Sequence, residues 1–450
     1  MVTLDAILIA DVAPIGKTLG GLTLTERARR VAVRAGARRV FVLDGASARE
    51  RLPAWWADDA RAEAVLILRA GDQLVHAPLV APLLEAVADG AEAAAAIAPA
   101  PALAGEPTDL AAGELAGAAI VVDAAAAAVQ ALADGGGLAE AIARAPAATR
   151  IAHGPIARHP VRTPAEHAAA ERLLYRILVK PQDNAITRFL YRPVSLPITR
   201  VLVTTPITPN QISLLVAVIV GIGVWLTASA SSTNVLLGSI VILLGSYLDC
   251  CDGEVARIKL MSSRFGAWFD TITDELSTIG YMLALGYHCS QYYGRGYLDA
   301  HGWPPGAPDP WLAACVVATA GYLVTVYGVY WNIIKLVGSA NSQDYVGRYD
   351  VVPSDEPGVV RLRPAAAAAA VYTRKPLPTP VRQIVGFLPN MVRRDFISWA
   401  AVLLAALVFN HFAFGLQVVG AAVSGVVVAL DHVRVRRQLR AIARAGQRLA

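Results

Sequence analysis

Residues 249–274 read DCCDGEVARIKLMSSRFGAWFDTITD, and eight of them stand out by type and spacing: Asp249, Asp252, Gly253, Ala256, Arg257, Gly266, Asp270 and Asp274. The pattern is D-x2-D-G-x2-A-R-x8-G-x3-D-x3-D, set beside long uncharged stretches. Four carboxylates therefore fall at the edge of a membrane, where ionisable side chains are costly and mark function. Asp249 and Asp252 are three positions apart and Asp270 and Asp274 four apart, so each pair shares one helix face. Two such pairs on neighbouring helices converge on one polar hollow, and their mutual repulsion calls for cations. Oxygen-only ligands suit Mg²⁺ or Mn²⁺, and two such ions can clamp a diphosphate. Gly253, Ala256 and Gly266 leave room for helices, or a nucleotide, to come close to backbone. Arg257 offers a guanidinium fork for phosphate.

The rest of the chain supplies that membrane. Of its 450 residues 55% are hydrophobic and only 17% charged, against about 25% charged in average soluble proteins. Residues 1–160 mix charges with alanine runs, whereas the long uncharged stretches lie beyond residue 204. Six stretches are long enough to span or nearly span a bilayer, at about 20 residues per helix: 208–229, 233–252, 265–288, 310–335, 395–411 and 412–432. The last two meet near Asn410-His411, which implies a tight helical hairpin. Lys and Arg set the orientation. Residues 337–394 hold Arg348, Arg361, Arg363, Arg374, Lys375, Arg382, Arg393 and Arg394, and the end of the chain holds Arg434, Arg436, Arg437 and Arg440. The loop between the third and fourth stretches has only Arg295. Both termini and the aspartates are therefore expected on the cytoplasmic side of the cell membrane, a conclusion reached without reference to the motif.

The expected organisation is a cytoplasmic α/β domain over 1–160, a linker with an amphipathic juxtamembrane helix over 161–203, a six-helix membrane domain over 204–434 and a basic tail over 435–450. In the linker, Phe189, Leu190, Val194 and Leu202 alternate with Arg188, Arg192 and Arg200, as in a helix lying on the membrane surface; an ordinary surface helix is the alternative. Thr208-Pro209-Asn210 marks a helix start. In the α/β domain, apolar strands are expected at Ala6–Ala10, Arg39–Leu43, Ala64–Leu68 and Ala119–Val122, with helices at Leu24–Ala35 and Leu79–Ala88, which argues for a mostly parallel sheet. No signal peptide is expected in the opening residues. A net charge of +5 without a basic-aromatic run gives no nucleic-acid signature, and four cysteines, two adjacent, give neither a disulfide framework nor a zinc spacing.

The eight-position pattern, with every fixed position present, resembles the signature of the CDP-alcohol phosphotransferase family of integral membrane enzymes. The resemblance covers residues 178–432. Within it KPQDNAITRFLYRPVSLPITRVLVTTPITPNQISLL, residues 180–215, is similar to the segment before the first span in the branch that makes inositol-phosphate diesters. It implies an enzyme, a homodimer in the bilayer, that passes the phosphoalcohol of a CDP-alcohol to an acceptor hydroxyl and releases CMP. By motif position, Asp249, Asp252 and Asp270 would hold two Mg²⁺ or Mn²⁺ ions, with Asp274 beside them as general base. Gly253, Ala256, Arg257 and Gly266 would line the CDP site. Lys335, Arg393 and Arg394 are candidates for an acceptor phosphate, although the orientation rule alone would also place them.

Residues 1–160 resemble the sugar-phosphate nucleotidyltransferase domain fused to this branch, through GGLTLTERARRVAVRAGARRVFVLDG (20–45) and LILRAGDQLVH (66–76), the latter carrying Asp72 where that family has a metal-binding Asp. The family's glycine-rich phosphate loop is replaced by ADVAPIGKTLGG (10–21), with one Gly before Lys17 and no matching Arg, so a degenerate domain with a structural or regulatory role is expected. Two alternatives stand beside the transferase reading: a bifunctional protein whose N-terminal domain makes the CDP-alcohol, and a cation transporter. The donor, CDP-diacylglycerol or CDP-inositol, and the acceptor are not set by the motif.

Overall fold

The structure, a computed structural model, describes residues 2–11, 18–100, 107, 109–145, 148–179, 185–338, 344–354, 358–364 and 394–449. Packing divides the chain into two compact units. One comprises Met1–Pro181, Ile198–Pro206 and Glu254–Met261; the other comprises Gln182–Pro197, Ile207–Gly253 and Ser262–Ala450.

The first unit is an α/β sandwich. Its elements are β1 (Leu4–Ile9), α1 (Leu24–Arg34), β2 (Ala37–Leu43), α2 (Ala46–Trp56), β3 (Ala64–Arg69), β4 (Gln73–Val75), α3 (Ala77–Ala88), β5 (Ala93–Ile97), β6 (Leu115–Val121), α4 (Ala125–Ala133), α5 (Leu138–Ala143), β7 (Thr149–Ala152), β8 (Arg158–Pro160) and α6 (Pro164–Arg176). Six strands form one sheet in the order β2-β1-β3-β6-β5-β7. β1 pairs in parallel with β2 and β3, and β5 with β7, while β6 runs antiparallel to both its neighbours. The expected strands and both helices are present. The alanine strand β5 (AAAAI) escaped sequence reading because it lacks the β-branched residues that favour strands. Side chains alternate across the sheet: Leu66 and Leu68 pack towards α1 and α3, and Val65 and Ile67 towards α2 and α4.

The second unit is largely helical. A π-helical turn, Thr187–Tyr191, leads into α7 (Arg192–Thr204), which carries the chain across the boundary between the units. Then come α8 (Pro209–Thr227), α9 (Ser232–Ile258), α10 (Arg264–Ala300), α11 (Pro310–Asn332), a hairpin of β9 (Tyr349–Pro353) and β10 (Val359–Pro364), α12 (Arg394–Ala406) and α13 (Asn410–Arg444). α8 starts where expected: Pro209 occupies its first turn, and the Thr208 N–H donates to Gln211 Oε1 at 2.9 Å.

Among the described residues, four helical stretches are long and apolar enough to cross a bilayer: Pro209–Thr227, Ser232–Ile258, Pro310–Val337 and Asn410–Arg444. Their outer faces carry large apolar side chains, such as Trp225 at 73% exposure, which suits lipid and not water. The other two expected spans differ. Residues 265–288 lie in α10, a helix interrupted at Gly294 and made less apolar by its acidic first half. Residues 395–411 form the short α12, of 13 residues, joined by a turn with Val408 at positive φ to α13. That turn makes the expected hairpin. α13 then continues helically through the basic residues to Arg444.

Candidate active site

α9 and α10 bring three of the motif's aspartates together. Asp249 lies on α9, Asp270 and Asp274 on the first turns of α10, and one carboxylate oxygen from each lies within 4.8 Å of the others. All three are half-buried, in reach of solvent but shielded by helix. Three hard oxygen donors this near one another suit a divalent cation such as Mg²⁺.

Asp252 lies one turn beyond Asp249 and is buried. Its carboxylate accepts the Ser213 hydroxyl at 2.5 Å, from the first turns of α8. Gly266 sits in the first turn of α10, whose N-cap Ser263 Oγ accepts the Gly266 N–H at 2.9 Å. A Cβ there would lie 3.0 Å from Asn210 Oδ1 and 3.1 Å from Ser263 Oγ, so the position suits a residue without a side chain. Gly253 follows Asp252 on α9, and Ala256 and Arg257 occupy the last turn of that helix. Glu275, beside Asp274, is held by tyrosines of α11: it accepts the Tyr322 hydroxyl at 2.5 Å and the Tyr330 hydroxyl at 2.8 Å.

Ser213, Asn210, Tyr322 and Tyr330 were not foreseen. Polar residues in the first turn of an otherwise apolar span, as in PNQIS, are the signal that would have found the first two.

The sequence model of CDP-alcohol phosphatidyltransferases matches residues 206–372. Residues 206–372 are thus similar to a CDP-alcohol phosphatidyltransferase domain. Relatives agree. The chain is 36% identical over 129 residues to the "Bifunctional IPC transferase and DIPP synthase" of Aquifex aeolicus (strain VF5), covering 28% of this chain and 29% of that protein. The protein of that name in Thermococcus kodakarensis is 34% identical over 128 residues, 28% of each chain. The "Archaetidylinositol phosphate synthase" of Pyrococcus horikoshii is 36% identical over 93 residues, 20% of this chain and 47% of that protein. The match thus spans under a third of the length of the first two relatives. CDP-alcohol phosphatidyltransferases use divalent metal ions, CDP-alcohol donors and alcohol acceptors.

Of the residues proposed for an acceptor phosphate, Lys335 is exposed in the π-helical turn Ile333–Val337 that ends the α11 span. Arg394 heads α12, and Arg393 lies outside the described residues. In the α/β unit, Asp72 is 4% exposed and its carboxylate is occupied by guanidiniums: Arg69 Nε donates to Oδ1 at 2.7 Å, and Arg162 Nε lies 3.3 Å from Oδ2. Arg162 also pairs with Asp109, which Arg158 grips through both oxygens at 2.8 and 2.6 Å. A carboxylate held in this network is a poor ligand for a further cation. A cleft of about 300 Å³ opens beside it, lined by Asp11, Arg69, Asp72 and Glu140 among others; Lys17 of the replaced phosphate loop is outside the described residues.

Proposed function

We propose that the protein is a CDP-alcohol phosphotransferase of the cell membrane, transferring the phosphoalcohol of CDP-diacylglycerol or CDP-inositol to an acceptor hydroxyl, with release of CMP, in phospholipid or phosphodiester biosynthesis. The convergence of Asp249, Asp270 and Asp274 inside the motif carries this reading. These three and Asp252 would hold two Mg²⁺ or Mn²⁺ ions, which when bound neutralise the diphosphate and the departing phosphate. Asp274 takes the proton of the acceptor hydroxyl. The oxygen so freed forms its bond to the β-phosphorus, and the bond from that phosphorus to CMP breaks. Gly253, Ala256, Arg257 and Gly266 receive the CDP group, Arg257 through its charged fork. Lys335, Arg393 and Arg394 serve a phosphorylated acceptor such as an inositol phosphate.

In this reading six helices cross the membrane, the protein is a homodimer, and both termini and the site face the cytoplasm. α7 supports a position at the bilayer surface, because its polar residues Ser195 and Thr199 are buried while Val201, and Phe189 just before it, are exposed.

A second reading, in which the α/β domain makes the CDP-alcohol, is favoured by the relatives named bifunctional; the pairing of Asp72 with Arg69 and Arg162 speaks for a domain without that activity. One assay separates the readings. The full chain in proteoliposomes is given CDP-diacylglycerol or CDP-inositol, each with inositol phosphate, glycerol phosphate, serine or inositol, and CMP is measured. At least one pair yields CMP. CTP-dependent pyrophosphate release would establish the bifunctional reading, and cation flux without CMP would make the protein a transporter.

A further inference from the structure

The α/β unit contains a segment of the signature itself, Glu254–Met261, together with Ile198–Pro206. This segment is the end of α9, and its termination is unusual. The Met261 N–H donates to Ala256 O at 2.8 Å and the Leu260 N–H to Arg257 O at 3.3 Å, the paired closure that normally needs glycine at the left-handed position. Here that position is Leu260, at φ 51°. A leucine is costly in this conformation unless its surroundings hold it.

The α/β unit supplies those surroundings. Leu260 packs against the core cluster that contains Leu4, Leu66 and Leu79. Arg30 Nη1 donates to the carbonyl of Lys259 at 2.6 Å, a cation on the C-terminal cap of the helix, where charge and hydrogen bond both favour it. Glu26 steadies that guanidinium, accepting from Arg30 Nε at 2.7 Å. Lys259 Nζ in turn donates to Thr205 O at 2.5 Å. The turn Gly20-Gly21 fits against the same segments: a Cβ on Gly20 would lie 2.6 Å from Ile258 Cγ2, and one on Gly21 would lie 1.9 Å from Val203 O. Both glycines have positive φ, and buried Arg27 holds the turn through Nη2 to Leu19 O at 3.0 Å.

We infer that the α/β domain is a positioning clamp for the donor site: Arg30 and the socket of Leu260 fix the last turn of α9 and so the placement of Ala256 and Arg257. The inference rests on the transferase reading, in which those two residues receive the CDP group. Arg30 is a positioning residue, distant in sequence from the motif and acting through the backbone of Lys259. The domain thereby has a use that needs no nucleotidyltransfer of its own.

The test uses the full chain in proteoliposomes, with CDP-diacylglycerol and CDP-inositol as probes and the acceptors named above. Arg30→Ala raises the KM for the CDP-alcohol about tenfold with kcat little changed, the scale of outer-shell losses. Arg30→Lys, which can still donate to the carbonyl, recovers most of that loss. Leu260→Ala, with Arg30 intact, acts in the same direction. Amide hydrogen exchange, read without any substrate, accelerates at residues 254–261 in Arg30→Ala and stays unchanged across 215–245. Unchanged KM in Arg30→Ala, with or without faster exchange, overturns the clamp. A wild-type protein that releases no CMP would instead overturn the transferase reading, with the exchange data still deciding whether Arg30 holds the turn.

Discussion

Asp252 has a different neighbourhood from the other three aspartates of the motif. Sequence spacing places it on the same face as Asp249, and both lie on α9, yet the grouped oxygens belong to Asp249, Asp270 and Asp274 while Asp252 accepts from Ser213. That hydroxyl fixes the orientation of a carboxylate one turn from the cluster, as outer partners of metal ligands commonly do. Ser213→Ala should therefore lower CMP release about tenfold and raise the Mg²⁺ concentration needed for half-maximal rate, with folding intact; a magnesium titration of the variant against wild type checks this. The identities of the aspartates were legible because their spacing repeats a helix turn. The Ser213 partnership was not, since it joins residues 39 apart through a helix crossing that no local pattern encodes. Asp72 illustrates the converse: its place after a strand and near Arg69 was readable, but its pairing with Arg162 follows from the tertiary path of that residue.

Helices carry most of what the sequence announced. Thr208-Pro209 starts α8, apolar length marks the four helical stretches fit to span, and the turn before Asn410 makes the hairpin of α12 and α13. α10 was harder to read, because a helix that carries Asp270, Asp274 and Glu275 gives up apolarity to the site it builds. In the sheet, the strands rich in valine, isoleucine and leucine were legible; alanine-rich β5 was not. The contact between the starts of α8 and α10 is where element geometry meets the site. Gly266→Ala would press a methyl on Asn210 Oδ1 and Ser263 Oγ, at 3.0 and 3.1 Å. The expected cost is about 1 kcal/mol of stability, as for modest overpacking, with a several-fold rise in KM for the CDP-alcohol. Thermal unfolding in detergent and steady-state kinetics read the two effects separately, and an unchanged KM would remove Gly266 from the donor site.

For the whole molecule, composition and charge foretold an α/β part and a membrane part; the fold has an α/β sheet and, among the described residues, four helical stretches apolar enough to span a bilayer. A linear reading does not reveal that Glu254–Met261 packs with residues far upstream, because the Arg30–Lys259 contact spans 229 positions. The proposed function turns on one chemical claim: Asp249, Asp270 and Asp274 would hold a divalent cation on which phosphoalcohol transfer depends. Its most direct measurement is CMP release by the full chain in proteoliposomes, after chelation with EDTA and on return of Mg²⁺ or Mn²⁺, for wild type and Asp249→Asn. The account predicts release that stops on chelation, returns with the metal, and falls by more than about a hundredfold in Asp249→Asn, beyond what loss of an outer partner costs. CMP release that persists in EDTA, or survives undiminished in a folded Asp249→Asn protein, would contradict it.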